Sequence, residues 1–471
     1  MFHLCTTVIF LAICRKRKIL DIRLNIKDFR LVGVTGFEPA TTRPPDVYSN
    51  RTELRPDSAL AKSKTLRFGT ANIRTFLIKQ HFSAIFFPTF AEMKSFALLI
   101  LSLAAALMTG CSGSAERHLS DFTSTVYAPT YASGFDIRGT ERDASTLISV
   151  HNPWQGDARS EQHLILLRGK AKAPADGSVQ AVRAPVQRVV CMSSSHVALF
   201  DALGLADRIV GVSGLDYISN PRIQQRSHSG ELRDVGYDTN LNFELLTALH
   251  PDVILLYGIS GEDTTITDKL RELGIPYLYV GDYVEESPLG KAEWLVAAAE
   301  MCDLRAAGAD TLRRIAARYN DLRARLDPAD ARPKVMFNTP YRDTWFMPST
   351  QSYMVRLIED AGGSYIYTKN HTNASVAVDL EEAYLLANSA DFWINVGACN
   401  SIEELTAQNP KFAEVPAVVD RCVWNNNRRQ TPSGGSDFWE SGVVRPDVVL
   451  RDLKTILAGG SDSTYYYKRL E

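Results

Sequence analysis

Short apolar runs alternate with helix-patterned stretches twice along this chain, and that alternation leaves few folds open. In the first series, residues 188–192, 208–212, 252–257 and 276–280 are predicted strands. Helices are expected at 197–204 behind the possible caps Ser193, Ser194 and Ser195, at 242–250 and at 265–273. Apolar runs of this length suit strands buried on both faces, and the helices between them supply the crossovers of a parallel, doubly wound sheet. A second series places strands at 334–338 and 392–396 and helices at 352–361, 379–388 and 444–458. Between the two, residues 288–328 read as helical. Ala309, Leu312, Ala316, Tyr319, Leu322 and Leu326 recur there at three-to-four spacing, the mark of one long amphipathic helix of about 30 Å.

The expected fold is therefore α/β: two doubly wound lobes, residues 185–287 and 329–471, joined by one long rigid α-helix within 288–328. Ahead of them, residues 112–184 read as a tether followed by alternating strands at 134–137, 146–150 and 163–167, with a turn at Asn152-Pro153-Trp154-Gln155-Gly156. The lobes also echo each other. The stretch from Asn242 through Glu244 to Leu256 parallels that from Asp379 through Glu381 and Glu382 to Ile394, each a capped helix running into a buried strand.

Two such lobes enclose a cleft, and ligands bind beyond the carboxyl ends of the strands. Candidate ligand residues in the first lobe are Ser194, Ser195, His196, Tyr217, Tyr237, Tyr257 and Ser260. In the second they are Tyr341, Trp345, Tyr353, Asn370, Asn425, Asn426, Arg428, Asp437 and Trp439. The aromatics would pack on a flat or bulky ligand, while Asn and Arg would hydrogen-bond its carbonyls or carboxylates. The tyrosines Tyr465, Tyr466 and Tyr467 read as surface packing.

Charge is unevenly spread. Residues 1–110 carry 16 Lys+Arg against 7 Asp+Glu, which leaves 36 against 47 for the remainder. An acidic body argues against nucleic acid as a partner. At the boundary, Met93-Lys94 opens an apolar run from Phe96 to Met108 that ends in Leu107-Met108-Thr109-Gly110-Cys111. This resembles a bacterial lipoprotein signal over 93–111, which implies lipidation of Cys111 and a membrane anchor. Translation from Met93 would leave 1–92 as a misassigned leader. Its Gly36-Phe37-Glu38-Pro39 stretch resembles a transfer RNA gene read as protein, and it has neither helical nor strand periodicity.

No Cys-x-x-Cys or His-x-x-x-His spacing supports a metal site, so none is expected. Cys191, Cys302, Cys399 and Cys422 read as buried free thiols, with Cys399–Cys422 the nearest pair open to a disulfide. Ser195, His196 and Asp201 are the residue types of a nucleophilic triad, but neighbouring Ser and His on one helix point apart. With no Gly-x-Ser-x-Gly elbow either, no enzymatic activity is expected.

The segments Pro185-Val186-Gln187-Arg188-Val189-Val190-Cys191-Met192-Ser193-Ser194-Ser195-His196, Leu203-Gly204-Leu205-Ala206-Asp207-Arg208, Val235-Gly236-Tyr237 and Asn242-Phe243-Glu244 together resemble the substrate-binding proteins of iron-siderophore, haem and cobalamin ABC importers. Pro288-Leu289-Gly290-Lys291 and Phe438-Trp439-Glu440-Ser441-Gly442 are similar to the Bacteroidetes branch. The resemblance implies a monomeric, periplasmic, lipid-anchored protein without a cofactor of its own. Its cargo would be a small-molecule metal chelate, either a ferric siderophore, haem or cobalamin, and its partners an ABC permease and ATPase. It also implies one docking glutamate per lobe: Glu244 in the first, and Glu382 or Glu381 in the second. The same carboxylates would also serve their helix dipoles. His196 could be an axial haem ligand or a packing residue. A non-transport sensor or scaffold lipoprotein of the same fold, and more distantly a hydrolase, are the competing readings.

Overall fold

The computed structural model describes residues 116–471 except 157–158, 260, 326–331, 341–343 and 461–462. The lipoprotein signal, Cys111 and the leader lie outside the described residues, as do Ser260 and Tyr341.

The first sheet runs in chain order: β1 (Ser124–Tyr127), β2 (Phe135–Gly139), β3 (Thr146–His151), β4 (Glu161–Leu167) and β5 (Gln180–Arg183). Its pairs are antiparallel apart from parallel β4 and β5. Period-two alternation divides its side chains. Ile148, Val150, Leu164 and Leu166 join the main core, whereas Leu147, Ile165 and Leu167 form a small cluster with Phe122 on the opposite face.

In the first lobe β6 (Val189–Cys191), α1 (Ser194–Asp201), β7 (Ile209–Val212), α2 (Pro221–His228), β8 (Arg233–Asp234), α3 (Phe243–Leu249), β9 (Val253–Leu256), α4 (Thr264–Glu272) and β10 (Tyr277–Tyr279) follow one another. The strands form a parallel sheet in the order β10-β9-β6-β7-β8, so the winding direction reverses at β6. Side chains fix the helix starts: Ser193 accepts from the Ser195 N–H, and Asn242 from that of Leu245. The first of these helices therefore begins earlier than expected. The edge strand β10 is covered by side chains of the first sheet, since the Tyr277 N–H donates to Gln180 Oε1 at 2.8 Å and that of Tyr279 to Gln162 Oε1 at 3.4 Å.

The helical stretch is two helices, α5 (Pro288–Met301) and α6 (Arg305–Ala324), separated where Asp303 adopts a φ of 61°. Every residue of α5 is buried, as suits a helix apolar on nearly all sides. Its buried Glu293 accepts hydrogen bonds from the Tyr127 hydroxyl and the Thr130, Tyr131 and Ala132 N–H groups at 2.6–2.8 Å, fastening the chain ahead of β2. A Cβ on Gly308 would come within 2.6 Å of the Ala299 methyl, so glycine permits the close crossing of the two helices. The linking helix is α6, tied to the second lobe by Tyr319 hydroxyl to Asp360 at 2.7 Å and Lys454 ammonium to the Leu322 carbonyl at 2.8 Å.

The second lobe comprises β11 (Lys334–Phe337), β12 (Thr344–Met347), α7 (Tyr353–Asp360), β13 (Ser364–Tyr365), β14 (Val376–Asp379), α8 (Leu380–Ala387), β15 (Phe392–Ile394), α9 (Ile402–Gln408), α10 (Pro416–Val419), β16 (Val423–Asn425), α11 (Pro446–Leu457) and β17 (Lys468–Arg469). Its sheet order is β13-β11-β15-β16-β17, parallel except for the antiparallel edge β17, with β12 and β14 forming a separate pair. The mixed α/β architecture of two wound lobes is as expected. Tyr466 and Tyr467 correct the surface reading, for both are fully buried in this lobe's core. Cys191, Cys302, Cys399 and Cys422 are free thiols, and only Cys422 is partly exposed.

Candidate functional site

The reversal at β6 opens a crevice at the carboxyl ends of the first-lobe strands. Met192, Ser193 and Ser194 follow β6, Ser213, Gly214, Tyr217 and Ile218 follow β7, Tyr237 follows β8 and Tyr257 follows β9; all of them line it. The second lobe contributes Gly435, Ser436 and Trp439 from the segment after β16. The space enclosed, including its open mouth, is about 610 Å³. Tyr217 and Tyr237 meet edge to face at 6.5 Å. Burial, with lesser contributions from Tyr217, Asp234 and Asp216, pushes the Tyr237 hydroxyl up to about 12, so it stays a neutral phenol.

Beneath the crevice runs a chain of buried polar groups. Ser193 and Ser195 hydroxyls lie 3.0 Å apart, Ser195 donates to Asp282 at 3.4 Å, and Asp282 pairs with the Lys291 ammonium at 3.4 Å. The ammonium in turn sits 4.3 Å from the centre of the Tyr353 ring, across the lobe boundary. Tyr353, Lys291 and Trp439 border an adjoining apolar slot, which extends the crevice along the interface.

A polar latch closes one side. Glu440, 2% exposed, accepts from the Ser219 N–H at 2.6 Å, the Ser219 hydroxyl at 2.7 Å and the Asn220 N–H at 3.0 Å. Burial pushes its carboxyl up to about 7 against the pull of these donors. Thr431 donates to the Asp216 carbonyl at 2.8 Å, and the Cα of Gly435 packs so near Tyr217 that a Cβ would stand 2.0 Å from the Tyr217 carbonyl oxygen.

Of the expected ligand residues, Ser194, Tyr217, Tyr237, Tyr257 and Trp439 face the crevice, and Tyr353 the adjoining slot. Others are corrected. Ser195 and His196 are buried below it; burial lowers His196 to about 4, so it is a neutral core residue. Trp345 is in the second-lobe core, 5.4 Å from both Trp393 and Phe412, with its indole N–H on the Phe337 carbonyl. Asn370 spends its amide on the Met347 and Ala374 carbonyls, and Asn425 on those of Gly397 and Cys399. Asn426 is buried, its carbonyl accepting from the Ser436 hydroxyl. Arg428 bonds the Tyr467 carbonyl, and Asp437 pairs with Arg429 at 2.9 Å beside the latch. Asp201 is exposed while Ser195 and His196 are buried, so these three assemble no triad.

Glu244 is exposed at the second position of α3, capped by Asn242. Glu381 holds the same position in α8, capped by Asp379 and exposed, whereas Glu382 pairs with Lys369 at 2.6 Å. Sequence reasoning missed Ser213, Ser436 and the latch because it weighted aromatics and amides over small residues. It missed Lys291 too, although a lysine within so apolar a helix was a visible sign.

The profile of the periplasmic binding proteins matches residues 189–423. An uncharacterized lipoprotein of Methanocaldococcus jannaschii is 25% identical over 333 residues, 66% of this chain and 77% of that protein. A vitamin B12-binding protein of Vibrio parahaemolyticus is 28% identical over 103 residues, 22% of this chain and 34% of its own. Among solved structures, a periplasmic haem-binding protein from Pseudomonas aeruginosa aligns with a TM-score of 0.47 at 17% identity, over 61% of this chain and 98% of that one.

Proposed function

We propose, from the premise that this chain belongs to the periplasmic binding protein family, that it captures a metal chelate or corrinoid in the crevice at β6 and delivers it to an ABC importer. The observation that carries this reading is the crevice itself: tyrosines from three strand ends of one lobe line it together with Trp439 of the other. The protein supplies binding and presentation, and the partner ATPase supplies the energy. The reading includes extracytoplasmic anchoring through a lipid on Cys111, in line with the lipoprotein relative.

Docking to the permease would use Glu244 and Glu381. Both are exposed second residues of capped helices in corresponding places of the two lobes, and Glu382 is already engaged by Lys369. The test is intrinsic tryptophan fluorescence of residues 112–471 titrated with cobalamin, haem and a panel of ferric siderophores. Saturable, sub-micromolar quenching by one of them is the expected result. A folded sample that responds to none would refute the reading.

A further inference from the structure

The turn Asn152-Pro153-Trp154-Gln155-Gly156 leaves β3 on the way to β4 in the first sheet, ahead of the stretch 189–423 that the family profile matches. Asn152, with a φ of 46°, donates its N–H to the Ser160 carbonyl at 2.8 Å. The residues that follow pack on the carboxyl end of the first-lobe sheet. Pro153 meets Gly281, just beyond β10, where a Cβ would stand 3.1 Å from the Pro153 Cα. The buried Trp154 ring meets Tyr279 edge to face at 5.4 Å and lies against Gly258, whose Cβ would come within 3.3 Å of it. The Gln155 N–H donates to the Ile259 carbonyl at 3.0 Å, and the Tyr283 hydroxyl donates to the same oxygen at 2.9 Å.

Gly258 and Ile259 are the two residues after Tyr257, the tyrosine that lines the crevice from the end of β9. Trp154 also braces the far end of that connection, because the hydroxyl of its neighbour Tyr279 accepts from the N–H of Asp263, the cap of α4. A side chain ordered only on binding lowers affinity by the freedom it gives up, whereas one held in place beforehand does not. We propose that Trp154 and Gln155 are positioning residues of the binding site: they hold the backbone at 258–259 so that Tyr257 meets its cargo already ordered. The inference rests on the proposed function and adds to its site a turn of the first sheet. Gln155 also lines, with Tyr283, Ser352 and Tyr353, a pocket at the lobe boundary, so the turn stands where the two lobes meet.

The experiment combines calorimetric titration with cyanocobalamin, haemin and ferric siderophores and fluorine NMR of a fluorotyrosine placed at 257, on the wild type, Trp154→Ala, Trp154→Phe and Ile165→Ala. Trp154→Leu, which keeps apolar volume without the ring, serves the same test should Trp154→Ala not fold. Ile165 is buried on the opposite face of the first sheet with Leu147 and Leu167, so Ile165→Ala reports what loss of stability alone does. We expect Trp154→Ala to weaken Kd about two- to tenfold and to broaden or split the Tyr257 resonance. Trp154→Phe should restore both, and Ile165→Ala should lower the thermal midpoint while leaving both unchanged. An unaltered Tyr257 resonance in Trp154→Ala would overturn the inference whether or not any chelate binds. An unaltered Kd, or an equal loss of affinity in Ile165→Ala, would overturn it while leaving the transport reading intact. Failure of every chelate to bind the wild type would instead refute the transport reading, and with it the proposed purpose of the turn.

Discussion

Replacing Glu440 by Gln tests whether the interlobe latch contains an acid that titrates near neutrality. The carboxyl is raised from its ordinary 4.5 to about 7, chiefly by burial, with Asp437 as the neighbouring like charge. Such an acid keeps its proton in the folded state after the unfolded chain has released it. Its contribution to stability is therefore full below about pH 4.5 and is lost as pH rises through about 7. At about 1.4 kcal/mol per pH unit, that interval is worth about 3 kcal/mol. Glutamine fills the same volume and cannot ionise, so Glu440→Gln removes this dependence and leaves all other titrations in place. Urea unfolding of both proteins at about pH 5 and about pH 8.5 gives the comparison. Wild type should lose about 3 kcal/mol relative to the variant between the two. An equal difference at both pH values would refute the reasoning, and would mean that the Ser219 and Asn220 donors hold the carboxylate ionised throughout.

Three further substitutions probe the remaining architecture. Gly435→Ala drives a methyl into the Tyr217 carbonyl across the lobe boundary and should cost about 1–3 kcal/mol, read as a lower thermal midpoint together with weakened ligand binding. Glu293→Ala leaves three N–H groups without their acceptor; a loss of about 3–5 kcal/mol and rapid amide exchange at Thr130, Tyr131 and Ala132 are expected. Trp345→Ala should destabilise by about 3–5 kcal/mol without a selective change in ligand affinity, whereas Trp439→Ala should weaken binding with little loss of stability, as paired melts and titrations will show.

Elements whose causes are local were legible in the sequence. Ser193, Asn242, Ser352 and Asp379 each cap the helix that begins beside them, and the capping interaction spans only two or three residues. Tyr217 and Tyr257 were found because each lies at or just beyond a recognisable strand, whereas Tyr237 follows the two-residue β8, which no apolar run announces. Trp345 was misplaced for a non-local reason: it belongs to β12, whose partner β14 lies some thirty residues on, and nothing near Trp345 announces that pairing. Asn370 and Asn425 failed differently. An amide on a loop has the same sequence appearance whether it turns toward a ligand or toward the carbonyls of its own backbone. The ion pair of Glu382 likewise could not be read locally, because its partner Lys369 lies ahead of the helix on another segment.

The two glutamines over β10 protect the protein in solution. An uncovered edge strand offers its N–H groups to any extended chain, including the same strand of another copy. Gln162 and Gln180 occupy those donors with side chains that cannot propagate a sheet. The first sheet thus acts as a shield against self-association for the lobe behind it. A version trimmed to the two wound lobes would retain the crevice yet expose this edge, and its first failure should be precipitation during refolding.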